Sequence, residues 1–139
     1  MIEAGNLFAP ATTNSPDEEI ATLFERPGLR IERIVSTGQA SPPGFWYDQD
    51  WTEWVVLLAG SAGLLIEGED APRILAAGDY LEIPPHARHR VEWTDAGQPT
   101  VSPCMRDDKW TGQALQGRLA PGGRRSRRIF RQFPRKLPR

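Results

Sequence analysis

Short apolar runs, each closed by glycine, proline or aspartate, fill residues 29–101 of this 139-residue chain. Leu29 to Val35 alternates with period two, which places Leu29, Ile31 and Val35 on one face of a strand. Ser41-Pro42-Pro43-Gly44 breaks the pattern, and further strands are expected over 53–59, 62–67, 72–76, 80–83 and 89–94, with another starting at Pro99-Thr100-Val101. Turn signals stand at Gly60-Ser61, Gly68-Glu69-Asp70, Ala77-Gly78-Asp79, Pro84-Pro85 and Asp95-Ala96-Gly97. Such spacing predicts an all-β sandwich or barrel, and no helical period competes with it.

Parity assigns faces. Glu53, Val55 and Leu57 share one face of their strand, and Trp54, Val56 and Leu58 the other. Both faces are apolar, so the strand is expected to be covered on both sides. A second subunit is the simplest outer cover, hence an expected homodimer. His89, Val91 and Trp93 likewise share a face.

Composition changes the picture at the C-terminus. Residues 1–105 hold 16 acidic and 6 basic side chains, whereas residues 106–139 hold 2 and 11, so a net charge of −1 conceals an acidic body and a basic tail. The expected organisation is a loose arm over 1–19 (Leu7 and Phe8 able to add a short edge strand), a β-domain over 20–102 and a tail over 103–139. Arg124-Arg125-Ser126-Arg127-Arg128 offers phosphate neutralisation, and so a nucleic-acid partner. Alternatively the tail records a shift of reading frame after Val101, which would leave the sheet without its last strand. The N-terminus lacks the basic start and apolar run of a signal peptide, no stretch is long enough to span a bilayer, and Cys104 is the lone cysteine. These features lead to the expectation of a cytoplasmic protein with no membrane partner. Ser36, Ser41 and Ser61 have no histidine at a nucleophile's spacing, and Gly60-Ser61-Ala62-Gly63 is a hairpin turn rather than a phosphate loop.

Chemistry concentrates in two stretches, Glu53-x6-Gly60 and Gly78-x5-Pro84-x4-His89. They deliver a carboxylate and an imidazole from different strands, both ordinary ligands of a divalent metal. The chain resembles the cupin family, whose motifs read G-x5-H-x-H-x(3,4)-E-x6-G and G-x5-P-x-G-x2-H-x3-N. The second motif matches up to His89, with His86 in place of its inner glycine and Trp93 in place of its terminal asparagine. The first keeps Gly44, Glu53 and Gly60 but neither histidine.

The resemblance implies a jelly-roll β-barrel. A four-residue spacer before Glu53 places Trp46 and Asp48 at the histidine positions; a three-residue spacer places Tyr47 and Gln49 there. The first is preferred, because Asp48 can ligate, and it implies Asp48, Glu53 and His89 around Mn²⁺, Fe²⁺, Zn²⁺ or Mg²⁺. The alternative is a metal-free pocket, with Glu53 and His89 hydrogen-bonded. Trp46, Tyr47, Val55, Leu57, Val91 and Trp93 are expected to line the pocket, with Asp50 and His86 at its rim and Arg88 and Arg90 on the surface. The implied function is small-molecule binding, with oxygenase, isomerase or lyase chemistry if the protein is an enzyme. A non-catalytic sensing or interaction module is the other reading.

Overall fold

The computed structural model describes residues 1–11 and 16–107. These form eight strands: β1 Glu19–Arg26, β2 Leu29–Ser36, β3 Thr52–Val56, β4 Ser61–Ile66, β5 Arg73–Ala76, β6 Tyr80–Ile83, β7 His89–Thr94 and β8 Thr100–Asp107. One sheet runs β1-β2-β8-β3-β6 and a second runs β5-β4-β7, with every pair antiparallel. The all-β expectation holds. No helix long and apolar enough to cross a membrane occurs among the described residues.

The core lies between the sheets. Ile34, Val55, Leu81, Ile83 and Cys104 come from the larger sheet, and Ala62, Leu64, Leu75 and Val91 from the smaller. Each large aliphatic side chain buried here contributes roughly 1.5–3 kcal/mol. Ile34 faces this core, so Leu29, Ile31 and Val35 take the opposite, outer face of β2. Val55 and Leu57 are fully buried while Trp54 remains 38 % exposed, which fixes the inward face of β3 as Glu53-Val55-Leu57.

Both ends of the domain differ from expectation. β1, absent from the sequence reading, is an edge strand whose residues 22–26 are all exposed, so it carries no strong alternation. Leu7 and Phe8 form a turn instead of an edge strand. The arm is tied down by Arg33, which donates from Nε to Leu7 O at 2.8 Å, also bonds Ala9 O, and pairs with Glu19 at 3.1 Å. At the other end, the strand expected to fade after Val101 continues to Asp107 and lies between β2 and β3. A sheet missing its last strand, the consequence drawn from a frame shift, is therefore not what forms. Pro103 hid this strand, since proline is rare in a central one. It sits where the β3–β8 ladder is interrupted, between the pairing Val55↔Cys104 and the bridge Ala59↔Val101. The basic stretch 124–128 and the rest of the tail from 108 onward lie outside the described residues.

Gly60 shows why a motif glycine is fixed. Its φ of 78° is left-handed, and a Cβ there would stand 2.7 Å from Thr100 Cα and 2.8 Å from Pro99 O. Both obstacles are backbone. Gly60→Ala is expected to cost about 2–4 kcal/mol, combining left-handed strain with overpacking, as measured by urea denaturation. A loss below about 0.5 kcal/mol would contradict this contact.

Candidate functional site

Glu53 and His89 both enter the space between the sheets. Glu53 is 0 % exposed on the Val55 face of β3, and His89 is 1 % exposed on the Val91 face of β7. Val55 and Val91 belong to one core cluster, so the carboxylate and the imidazole arrive in the same interior from opposite sheets. On the larger sheet, Glu53 stands directly across from Ile83 on β6 and Arg106 on β8.

The imidazole is held in one tautomer. His89 Nδ1 lies 2.8 Å from Ala87 O, and a carbonyl only accepts, so Nδ1 carries the proton. Nε2 is then a bare acceptor. It is buried and has no hydrogen-bond partner among the described residues. Burial holds the imidazole below its ordinary pKa, an effect the Ala87 bond opposes. The ring is neutral at pH 7, with its lone pair turned into the interior.

A loop seals this strand. Tyr47 donates its N–H to His89 O at 2.8 Å and accepts from His89 N at 3.2 Å, forming an isolated bridge beyond β7. Its ring stacks on the His89 ring at 5.2 Å with 21° between planes, and Phe45 meets it edge-on at 4.9 Å. Further along the same edge, Ser41 N bonds Val91 O at 2.8 Å, and Val91 N bonds Ser41 Oγ at 2.9 Å. The free edge of β7 is thereby covered.

This loop revises the expected ligand set. Tyr47 is the inward residue at 4 % exposure, whereas Asp48 points outward and its Oδ1 accepts from His86 Nδ1 at 2.8 Å. The three-residue spacer is thus the one that describes the chain. Trp46 faces the surface, with Arg88 and Arg90 at 5.7 and 6.0 Å from its ring centre, and Asp50 is exposed. Among the described residues, no three His, Cys, Asp or Glu side chains come together as a metal-ligand group. Asp48, Glu53 and His89 do not converge, and the donors present do not fit a resident divalent ion.

Two more expected site residues are placed differently. Trp93 was assigned inward with His89 and Val91, but β7 carries a bulge: Gly63 pairs with Trp93 while Leu64 pairs with Val91. Glu92 is the extra residue, parity flips, and Trp93 turns outward at 37 % exposure. Its ring lies over Gly63, where a Cβ would stand 2.2 Å from Nε1. His86, in place of the motif's glycine, adopts φ 61°. A left-handed non-glycine costs about 1 kcal/mol or more, and the bond to Asp48 offsets part of it. Val55, Leu57 and Val91 are inside as expected, each fully buried.

Sequence reasoning named Trp51 among the aromatic residues suggesting a cavity but missed Ser102 and Arg106. Trp51 lies beneath the Arg106 guanidinium at 4.5 Å, and Ser102 is fully buried on the inner face of β8. The signal was the alternation Ser102-Cys104-Arg106 against Val101-Pro103-Met105, in which the apolar set faces outward.

The state of His89 sets a pH dependence. Because the fold disfavours its imidazolium, the unfolded chain takes up the proton first on acidification. Its contribution to stability is full above about pH 6.5 and is lost as pH falls below, by at most about 1.4 kcal/mol per unit. Denaturant melts from pH 7.5 to 5.0 are expected to show this decline, and His89→Phe to remove part of it. An unchanged slope in the variant would contradict a neutral buried ring.

No family model matches the chain, and no curated protein does. A solved structure from Ralstonia eutropha JMP134, described as that of a proposed mannose-6-phosphate isomerase, is 54 % identical with a TM-score of 0.74; the match covers 77 % of this chain and 99 % of that one. An RmlC-like cupin from Desulfovibrio desulfuricans superposes with a TM-score of 0.61 at 16 % identity, over 78 % of this chain and 98 % of that one. A double-stranded β-helix cupin from Methanocaldococcus jannaschii gives 0.57 at 14 %, over 77 % and 92 %. The two-sheet architecture, the second motif ending at the buried His89 and the last two likenesses agree: the chain has the double-stranded β-helix fold of the cupins.

Proposed function

We propose that this cupin-fold chain binds a small hydroxylated molecule between its sheets without a resident metal, the ligand donating a hydrogen bond to His89 Nε2 beside Tyr47 and Glu53. One observation carries the reading. An imidazole nitrogen buried as an acceptor with nothing to accept from is costly, by about 1–3 kcal/mol, unless a donor from outside the chain reaches it. A sugar hydroxyl supplies such a donor, and stacked aromatic rings suit a sugar-sized molecule.

The Ralstonia relative's description favours a chemical version of the same site, aldose–ketose isomerisation of a sugar. There the Glu53 carboxylate would take the proton from the carbon next to the carbonyl and return it to the neighbouring carbon. His89 would accept the migrating hydroxyl proton at Nε2 and return it to the other oxygen. Atoms balance, with no oxidant or outside proton required. A non-catalytic sensing module would use the same contacts without turnover. The nucleic-acid reading rests on residues 108–139, outside those described.

His89→Phe keeps the volume and the stack on Tyr47 but removes the acceptor. Calorimetry with mannose is expected to show binding to the parent chain and at least about tenfold weaker binding to this variant. Elemental analysis of the chelator-free preparation is expected to give far less than one metal per chain. Stoichiometric metal, or equal affinity in the two proteins, would overturn the reading.

We further propose that a second copy covers the outer face of the larger sheet. Ile31, Trp54, Pro103 and Met105 line an apolar cleft of about 320 Å³ there, and Trp54 packs 5.9 Å from the half-exposed Tyr80. Light scattering is expected to give a dimer that Trp54→Lys converts to a folded monomer. A parent chain monomeric at 100-fold dilution and at millimolar concentration alike would exclude this interface.

A further inference from the structure

His89 and Glu53 lie where no solute touches them: both are buried, and the Tyr47 ring covers one face of the imidazole. A ligand therefore reaches them through a segment that opens. Segments with few ladder bonds and little buried apolar surface open first. β2 and β8 pair along their whole length, from Leu29↔Asp107 to Ser36↔Thr100, so that ladder is the last to part.

Residues 42–51 fit the requirement. Their backbone is irregular apart from the bridge at Tyr47. Ser41 is fixed to Val91 at one end, and β3 begins with Thr52 at the other. Tyr47 is the one fully buried side chain of the segment, whereas Pro43, Gly44, Asp48 and Asp50 are exposed. Lifting the segment withdraws a single ring from the core, the ring stacked on His89. Both bonds of the Tyr47–His89 bridge part with it, which bares the edge of β7 and the imidazole together.

From outside, His86 holds the segment by two bonds. Its N–H donates to Gln49 O at 2.6 Å, and its Nδ1 donates to Asp48 Oδ1 at 2.8 Å. It does so from a backbone at φ 61°, which side chains rarely adopt. Such strain persists where contacts fix the residue, and these contacts run to residues 42–51. The His86 and Asp48 side chains are both exposed, so the pair ties two loops together without belonging to the core.

We infer that residues 42–51 are a strap whose local opening is the way in to His89, with the His86–Asp48 pair as its latch. This deepens the ligand-binding reading above and rests on it for the strap's use, but the opening is measured with no sugar present.

The chain's two histidines serve as probes. Diethyl pyrocarbonate acylates an imidazole nitrogen that carries a lone pair, so reaction at His89 reports access to Nε2. Exposed His86 gives the unhindered rate, and the ratio of the two rates is the open fraction. Peptide mass spectrometry of the full-length chain at pH 7 is expected to show His89 reacting at least about tenfold more slowly than His86. Amide exchange at Tyr47 and His89 is expected to give the same open fraction within about threefold, at least about tenfold above that of the β2–β8 ladder. Asp48→Ala is expected to raise it about threefold or more and to leave the ladder within about twofold. In a His86→Gly background, with N-acetylhistidine as the reference, Asp48→Ala is expected to add less than about 1.5-fold.

An open fraction no greater than the ladder's means entry by global unfolding and overturns the strap. Reaction at His89 as fast as at His86 means a standing path and overturns it too. No effect of Asp48→Ala, or the same effect with and without His86, overturns the latch. Failure of mannose to bind falls on the hydroxyl reading instead, because no sugar enters these measurements.

Discussion

A neutral imidazole locked in one tautomer inside an apolar sandwich is the constraint around which this chain is organised. The Ala87 carbonyl fixes the proton on Nδ1, the Tyr47 ring lies along the face of the imidazole, and burial keeps it uncharged. Each part depends on local backbone. The Pro84–His89 segment returns through a left-handed residue at His86, and the bridge from Tyr47 to His89 closes the edge of β7. What results is an acceptor aimed into the interior where the opposite sheet presents Glu53. A buried acceptor with no donor is costly to keep, and that cost is what the proposed ligand would relieve.

The loss of the first motif's histidines gains a structural meaning from this. Where metal-binding relatives of this pattern would place imidazoles, this chain has Tyr47 and Gln49, and Tyr47 fills the space beside His89 with an aromatic ring. Asp48 turns out to pair with His86 at the surface. The histidine at the motif's glycine position and the outward Asp48 belong together in the structure: His86 holds a left-handed backbone and pairs with the Asp48 carboxylate at the surface.

Much of this was legible in the sequence wherever backbone period or turn chemistry speaks directly. Parity along 53–57 and 89–91 placed Glu53, Val55, Leu57, His89 and Val91 inward, and Gly60 and Gly78 marked turns that have φ of 78° and 90°. Legibility failed where the period breaks. The β7 bulge reversed Trp93, and the loop around 46–49 has no period from which to choose Tyr47 over Asp48. On β8, Pro103 argued against a strand, and small polar residues took the inward face while apolar ones faced out. Arg106 escaped notice for the same reason, being read as the start of the basic tail instead of the end of an inner row.

Nitrogen-15 NMR of the His89 ring addresses the central claim most directly, because it reads the protonation of each nitrogen and what each contacts. The account predicts a neutral ring at pH 7, protonated at Nδ1, with an Nε2 resonance that moves on addition of mannose while Nδ1 stays bonded to Ala87. An imidazolium, a proton on Nε2, or an Nε2 resonance indifferent to every sugar tested would contradict it.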